Sequence, residues 1–145
     1  MIPIRACVRT CLPLPVLLLA CAGANAAPPL QYLRVDHSVE TLIDTATANR
    51  LTAEAIPQRL YKLYPPKLWG FATEVNGGFD DTNTCVVSAR AMLLPLRGRT
   101  LVYAPLKTAA TFAAAPHASL QQCRELAQQK LSDAVQSVVG QLVPN

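Results

Sequence analysis

Apolar residues recur every three or four positions along the last part of the chain. Between residues 120 and 142 their spacing is that of one face of an amphipathic helix. Ser119 and Gln122 open this run in the arrangement of a capping box, in which each residue satisfies a backbone N–H near the other. The sequence therefore predicts a long C-terminal helix with one buried stripe. The stripe comprises Leu120, Cys123, Leu126, Ala127, Leu131, Ala134, Val135, Val138 and Val139.

In the middle of the chain the apolar period changes to two, which is typical of β-strands. The pattern predicts a strand over residues 69–75, a second and clearer one over 85–93, and a third over 100–106. Glycine-containing turns are predicted between them at residues 76–78 and 95–99. Consecutive strands with short connections usually form an antiparallel meander, and the sequence predicts one of three strands.

The segment before the strands again has helical spacing. Asp36 is a plausible N-cap, and the pattern predicts one broken helix or two short helices over residues 36–64. The break is expected near Pro57, and Pro65 followed by another proline is expected to end the helical part. Residues 108–118, which are rich in alanine, are predicted to form a loop of small residues.

The first 26 residues have the pattern of an export signal. Arg5 and Arg9 precede an apolar stretch over residues 12–24, whose length of about 13 residues is short of the roughly 20 that span a bilayer. Residues 24–26 read Ala-Asn-Ala, a site for an ordinary signal peptidase. Residues 18–21 read Leu-Leu-Ala-Cys and resemble a bacterial lipobox. Export is predicted on either reading.

The two processing sites predict different mature proteins. Cleavage after residue 26 leaves an extended leader over residues 27–35, followed by a single domain over 36–145. Cleavage at the lipobox makes Cys21 the first residue and a site of lipidation. The predicted location is accordingly the periplasm or the exterior, with an outer-membrane lipoprotein as the alternative.

Two cysteines, Cys85 and Cys123, lie beyond the signal, and an even pair in an exported chain favours a disulfide. Both fall on apolar faces, one in the second strand and the other in the first turn of the last helix. The bridge would hold that helix against the meander. The predicted fold is therefore α+β: N-terminal helical segments, a three-stranded antiparallel meander, a long C-terminal amphipathic helix packed on the sheet, and one disulfide.

Composition narrows the class of protein further. The 145 residues are 51% hydrophobic and only 15% charged, which excludes an intrinsically disordered chain. The formal net charge of +4 is spread along the sequence rather than clustered, which argues against nucleic-acid binding.

Groups with catalytic or metal-binding chemistry are sparse. His37 and His117 have no close ligand or nucleophile in sequence, so no catalytic residue, metal or cofactor is predicted. Asp80 and Asp81 could offer oxygens to Ca²⁺, but residues 80–83 lack the spacing of a calcium loop and are better interpreted as a polar hairpin turn.

Two arginines give the main candidate for binding. Arg97 and Arg99 flank a glycine at a predicted hairpin tip, with Arg90 and Lys107 on the adjoining strands. Guanidinium groups can hold carboxylates or phosphates in a bidentate manner, although a charged turn can also serve only to keep an edge soluble. The second candidate is the aromatic and proline-rich segment 61–69, which either contacts a partner or closes the core.

These features favour a non-catalytic module of the bacterial envelope that binds a protein partner, as an inhibitor, immunity protein or assembly accessory does. One alternative is a structural or assembly lipoprotein held to the membrane through Cys21. The other is a small hydrolase whose site places His37 or His117 beside a carboxylate. No nucleic acid is expected as a partner, and the membrane is expected only through the lipid anchor.

Overall fold

The computed structural model describes residues 30–143, in which a five-stranded mixed sheet carries its helices on one face. The predicted export signal and both candidate processing sites, including Cys21, lie outside the described residues. The elements are β1 (Leu33–Asp36), α1 (Thr45–Glu54), α2 (Gln58–Leu63), β2 (Trp69–Phe79), β3 (Thr84–Arg97), β4 (Thr100–Leu101), β5 (Lys107–Pro116) and α3 (Leu120–Leu142).

The predicted α+β class is confirmed, with the meander formed by β2, β3 and β5. Strand β3 pairs antiparallel with β2 along one edge, and with β5 and the short β4 along the other. Strand β1 adds to the far side of β2 in the parallel direction, which the sequence did not predict. A parallel pair needs a crossover connection, and α1 and α2 provide it.

The N-terminal prediction of a helix capped by Asp36 is wrong. Asp36 ends β1, where its carboxylate accepts hydrogen bonds from Ser38 Oγ at 2.7 Å and Thr73 Oγ1 at 2.8 Å. The N-cap of α1 is Asp44, whose carboxylate accepts from the Thr47 N–H at 2.8 Å. That backbone hydrogen bond lowers the pKa of Asp44. Two short helices do follow, as the pattern predicted.

The third long strand lies later than predicted. Residues 100–106 contribute only the two-residue β4, and the segment predicted as a small-residue loop is instead β5. From Ala109 onward its odd-numbered side chains are half-buried under α3, whereas its even-numbered side chains are exposed. Alanine has little intrinsic preference for strands, so this segment owes its conformation to pairing with β3.

The predicted turn at Asn76 to Gly78 is also wrong, because β2 continues to Phe79. The turn comes at Asp80, whose side chain accepts from the backbone N–H groups of Thr82 and Thr84, both at 2.9 Å. These hydrogen bonds, that of Thr84 foremost, lower the pKa of Asp80. The turn that closes the β2–β3 hairpin is therefore specified by an aspartate rather than by the glycines.

The last helix and the disulfide are as predicted. Ser119 and Gln122 form the capping box, and Cys85 is bonded to Cys123 with 5.7 Å between their Cα atoms. Most of the predicted stripe is fully buried on the sheet, Leu126 and Val139 are half-buried, and Leu120 is exposed. The bridge joins the start of β3 to the first turn of α3.

The opposite face of the sheet is covered at one end only. There Leu101 of β4 packs with Ala72, Met92 and Leu94 in a small second cluster. Towards the β2–β3 turn the same face is open, and Phe112 of β5 is 75% exposed. The main core lies between the other face and the three helices.

Candidate functional site

The turn that joins β3 to β4 presents the two predicted arginines. Arg97 pairs with Thr100, so Gly98 and Arg99 form a two-residue tip. Gly98 has a φ of 62°, a left-handed conformation that glycine adopts at little cost. Both arginine side chains are exposed. The sequence prediction that Arg97 and Arg99 share one exposed turn matches this geometry.

The other basic residues of that prediction lie elsewhere. Arg90 is seven residues from Arg97 along β3, roughly 23 Å in an extended strand, and forms an ion pair with Glu74 on β2. The Arg90 side chain is the main cause of the lowered pKa of Glu74. Lys107 begins β5 opposite Leu93 and lies nearer to the tip. Arg90 is therefore part of the open sheet face rather than of the tip.

A cavity of about 450 Å³ lies beside the tip. Gly98 and Arg99 form one wall of it, and Pro66 forms part of another. A neighbouring cavity of about 470 Å³ shares three lining residues with the first, Leu30, Gln31 and Pro66, and extends to Tyr61. The two cavities thus connect the arginine tip with the aromatic and proline-rich segment.

We call this surface the junction groove. Its residues are Leu30, Gln31, Tyr32, Leu33, Arg34, Ala53, Gln58, Tyr61, Pro65, Pro66, Lys67, Leu96, Gly98 and Arg99. Two features that the sequence treated as rival candidates therefore lie on one surface. The contribution of β1 to it, through Leu33 and Arg34, was missed. The alternation of Leu33, Arg34, Val35 and Asp36 was the signal that could have revealed this strand.

The groove combines apolar walls with a basic margin. Leu30 is 53% exposed in it, and Arg34, Lys67 and Arg99 supply positive charge. Within the described residues, Nε of Arg34 is buried without a hydrogen-bond partner, although its Nη2 reaches Oε1 of Gln31 at 3.5 Å. Such a surface is suited to a ligand that has an apolar part and an anionic group.

The aromatic segment serves the core as well as the groove. Tyr61, Tyr64 and Trp69 pack against the main core, and the rings of Tyr64 and Trp69 meet edge to face at 5.7 Å. Tyr32 of the N-terminal segment is buried beneath them, and its hydroxyl donates to the Tyr64 carbonyl at 2.6 Å. The floor of the groove is thus fixed by core packing.

Burial raises the pKa of Tyr32 to about 12, with a smaller contribution from Tyr61. Below pH 10 both the folded and the unfolded states keep this proton. Between pH 10 and 12 the unfolded state loses it first, so we expect the free energy of unfolding to fall as the pH rises, by at most about 1.4 kcal/mol per pH unit from this group. Urea denaturation at a series of alkaline pH values measures this slope.

The control for this prediction is an exposed tyrosine. Tyr32→Phe should reduce the alkaline slope, whereas Tyr103→Phe, which removes a phenol that is largely exposed, should leave it unchanged. Equal slopes in the wild type and the Tyr32→Phe variant would contradict the assignment.

Each of the two histidines lies directly after a strand. His37 follows β1, and its N–H donates to the Thr73 carbonyl. His117 lies in the turn between β5 and α3 with a φ of 56°, and its N–H donates to the Asn83 carbonyl. Neither residue lines the junction groove. Among residues 30–143, no group of three histidine, cysteine or acidic residues could hold a metal ion.

None of the helices in the described part of the chain is both long and apolar enough to cross a membrane.

No protein-family profile and no curated protein matches the chain. Solved structures similar to it include the PelC dodecamer from Paraburkholderia phytofirmans, at 11% sequence identity and a TM-score of 0.44, covering 79% of this chain and 89% of that one. A crystal form of a variant PelC dodecamer from the same organism gives 12% identity and a TM-score of 0.43, covering 74% and 87%.

Proposed function

We propose that the protein is an exported, non-catalytic module of the bacterial envelope that binds a protein partner through the junction groove. The observation that carries the proposal is that the arginine tip and the aromatic, proline-rich segment line connected cavities. A partner segment with an apolar side chain and a carboxylate would match the groove, because Leu30 and Tyr61 can cover the former and Arg99 can pair with the latter.

Two features of the groove support binding rather than catalysis. Its polar margin consists of arginine, lysine and glutamine side chains, which hold anions but do not supply a nucleophile with a general base. Its floor is rigid, because Tyr32 and Tyr61 are held by the core, with their ring centroids 4.8 Å apart. A preformed groove of this kind loses little conformational entropy when a partner binds.

Export is the second part of the proposal, and residues 1–26 support it. The soluble product would begin after residue 26, whereas the alternative product would be anchored through a lipidated Cys21. The intact mass of the mature protein, together with N-terminal sequencing, distinguishes these forms from an unprocessed chain. An unprocessed chain in an exporting host would contradict the proposed location.

Replacing both Arg97 and Arg99 by glutamine is expected to weaken partner capture by about tenfold or more, since Arg99 lines the groove and one charge-assisted contact contributes about 1.5 kcal/mol or more. The loss should be larger at low salt, where charges are screened least. The free energy of unfolding should change by less than about 0.5 kcal/mol, because both side chains are exposed. Immobilised protein exposed to envelope extract, with each captured species quantified by mass spectrometry, provides the measurement.

A variant with Arg90→Gln and Arg124→Gln is the matched control, because it removes the same charge from sites outside the groove. It should capture the partner as the wild type does. If the tip variant and this control capture the same species equally well, the tip is only a solubilising turn and the proposed site is wrong.

A further inference from the structure

Strand β5 forms one edge of the sheet, and its outer backbone groups can be identified. The His117 N–H donates to the Asn83 carbonyl, which continues the β3–β5 register by one pair. Hydrogen-bonded pairs alternate along an antiparallel ladder, so the odd-numbered residues of β5 bond to β3. The N–H and C=O groups of Thr108, Ala110, Phe112 and Ala114 therefore point away from the sheet.

The β2–β3 ladder gives the same assignment independently. The Leu96 N–H donates to the Leu68 carbonyl, and the Asp80 N–H donates to the Thr84 carbonyl, and both bonds lie in the β2–β3 register. Even-numbered residues of β3 thus bond to β2, which leaves its odd-numbered residues for β5.

This edge lacks the devices that usually prevent strand pairing. Lys107 and Pro116 stand at its two ends, but residues 108–115 between them contain no charge and no proline. Phe112, in the middle, is 75% exposed, while the side chains beside it are alanine and threonine. Among the described strands, β5 pairs only with β3. The edge is therefore long, uncharged between its two ends and open to another strand.

The two ends of the sheet carry opposite charges, and this indicates which kind of strand would pair with β5. Asp80 and Asp81 lie at the turn beside the C-terminal end of β5, because Thr84 pairs with Pro116. Arg97, Arg99 and Lys107 lie at the other end. An antiparallel second copy would place its basic residues at the same end of the joined sheet as this acidic turn, and its acidic turn at the same end as these basic residues. Such complementarity favours a copy of the same chain over a partner strand that carries only positive or only negative charge.

We propose that two copies of the protein associate through antiparallel pairing of their β5 strands, with the two-fold axis at Thr111. This register pairs Ala110 with Phe112 of the second copy and Thr108 with its Ala114. All four outward-facing residues of each copy are then bonded, and about eight backbone hydrogen bonds form. Centring the axis on Ala110 would place Ala114 opposite a residue outside the strand, and centring it on Phe112 would place Thr108 opposite Pro116, which has no N–H to donate.

The helices are compatible with this arrangement. Helix α3 packs on both β3 and β5, and the Thr111 hydroxyl donates to the Lys130 carbonyl at 2.7 Å. Two helices centred between β3 and β5 of their own copies would lie roughly 10 Å apart, a normal distance for packed helices. Lys130 is paired with Asp133 in its own chain, which reduces repulsion between the two lysines near the axis.

Sedimentation velocity on the purified protein, from 1 to 100 µM, tests the proposal. We expect a monomer–dimer equilibrium that shifts with concentration. Ala110→Pro removes an outward N–H while leaving the bonds to β3, and edge strands tolerate proline at such positions. Because the substitution removes hydrogen bonds at two places in a symmetric dimer, we expect the dissociation constant of the dimer to rise at least tenfold.

A second variant guards against loss of folding through the proline. Phe112→Lys places a charge on the proposed interface and should also favour the monomer, whereas Val86→Lys places the same charge on the same sheet face one strand further in and should not. Circular dichroism confirms that each variant is folded. A wild type that is monomeric at 100 µM, an assembly larger than two copies, or a dimer unaffected by both β5 variants would overturn the proposal.

Hydrogen exchange gives the register. Amides of Thr108, Ala110, Phe112 and Ala114 should gain protection as the concentration rises, while those of Thr111 and Ala113 should be protected throughout. Uniform protection of β5 at all concentrations would contradict the register. The outcome is separate from that of the junction groove, because neither β5 variant alters a residue of that groove.

Discussion

Replacing Cys85 and Cys123 together by alanine is expected to lower the free energy of unfolding by about 4 kcal/mol. The two half-cystines are 38 residues apart, and in the chain-entropy description a loop of that length restricts the unfolded state by about this amount. Both residues are fully buried, so the bridge is shielded from reductant in the folded protein. Urea denaturation of the oxidised wild type and the double variant provides the comparison.

Reductant supplies the control for this prediction. The wild type unfolded and refolded in dithiothreitol should approach the stability of the double alanine variant, whereas the variant should be indifferent to reductant. A difference of less than 1 kcal/mol in the free energy of unfolding between the oxidised wild type and the variant would contradict the prediction. The bridge would then form because β3 and α3 are close, without stabilising the fold.

The second large effect is expected at Gly77. A methyl group there would overlap the Val86 carbonyl oxygen on β3, and the φ of 143° is unfavourable for any other residue. Gly77→Ala should therefore cost about 4 kcal/mol, from backbone strain together with the displacement of a paired strand. The obstructing atom belongs to the backbone, so no side-chain rotation can relieve the overlap. Thermal or urea denaturation measures the loss.

The neighbouring glycine is a matched control. Gly78 has a similar φ of 154°, but a methyl group there meets nothing within 4 Å. Gly78→Ala should cost only the strain, about 1–3 kcal/mol. If the two variants were equally stable, close approach to Val86 would not be the reason for glycine at position 77.

The elements that the sequence predicted correctly are those with strong local patterns. Helix α3 has a long apolar stripe and a complete capping box, and β3 alternates cleanly from Cys85 onward. The disulfide was predicted from the even number of cysteines that follow the predicted export signal. In each case local preference and tertiary burial favour the same structure.

The missed elements are those that tertiary contacts determine. Asp36 and Asp44 are both aspartates before a run with helical spacing, and only pairing with β2 makes the first of them the end of a strand. Strand β5 is mostly alanine and threonine and is held by its ladder with β3. The glycines of β2 have the local pattern of a turn. The reason for glycine at position 77 is the close approach of β3, which the sequence around it does not show.

The candidate site was predicted in parts rather than as a whole. Arg97 and Arg99 were placed at a turn by local signals, and the aromatic segment was recognised by composition. Their convergence depends on β1 and the residues just before it, which bring Leu30, Gln31 and Arg34 between them. A strand of four residues leaves too short a pattern for this to be predicted.

The position of the disulfide also determines how the protein responds to tension. Cys85 lies at the start of β3 and Cys123 in the first turn of α3, so most of β3 and all of β4 and β5 are enclosed in one covalent loop. When the two ends of the chain are pulled apart, force passes across the sulfur–sulfur bond and bypasses that loop. Roughly 130 Å of contour length stays hidden from the force until the bond is reduced. A stretched molecule would thus lengthen through its N-terminal segment, α1, α2, β2 and α3, and reduction would be seen as one further step in extension.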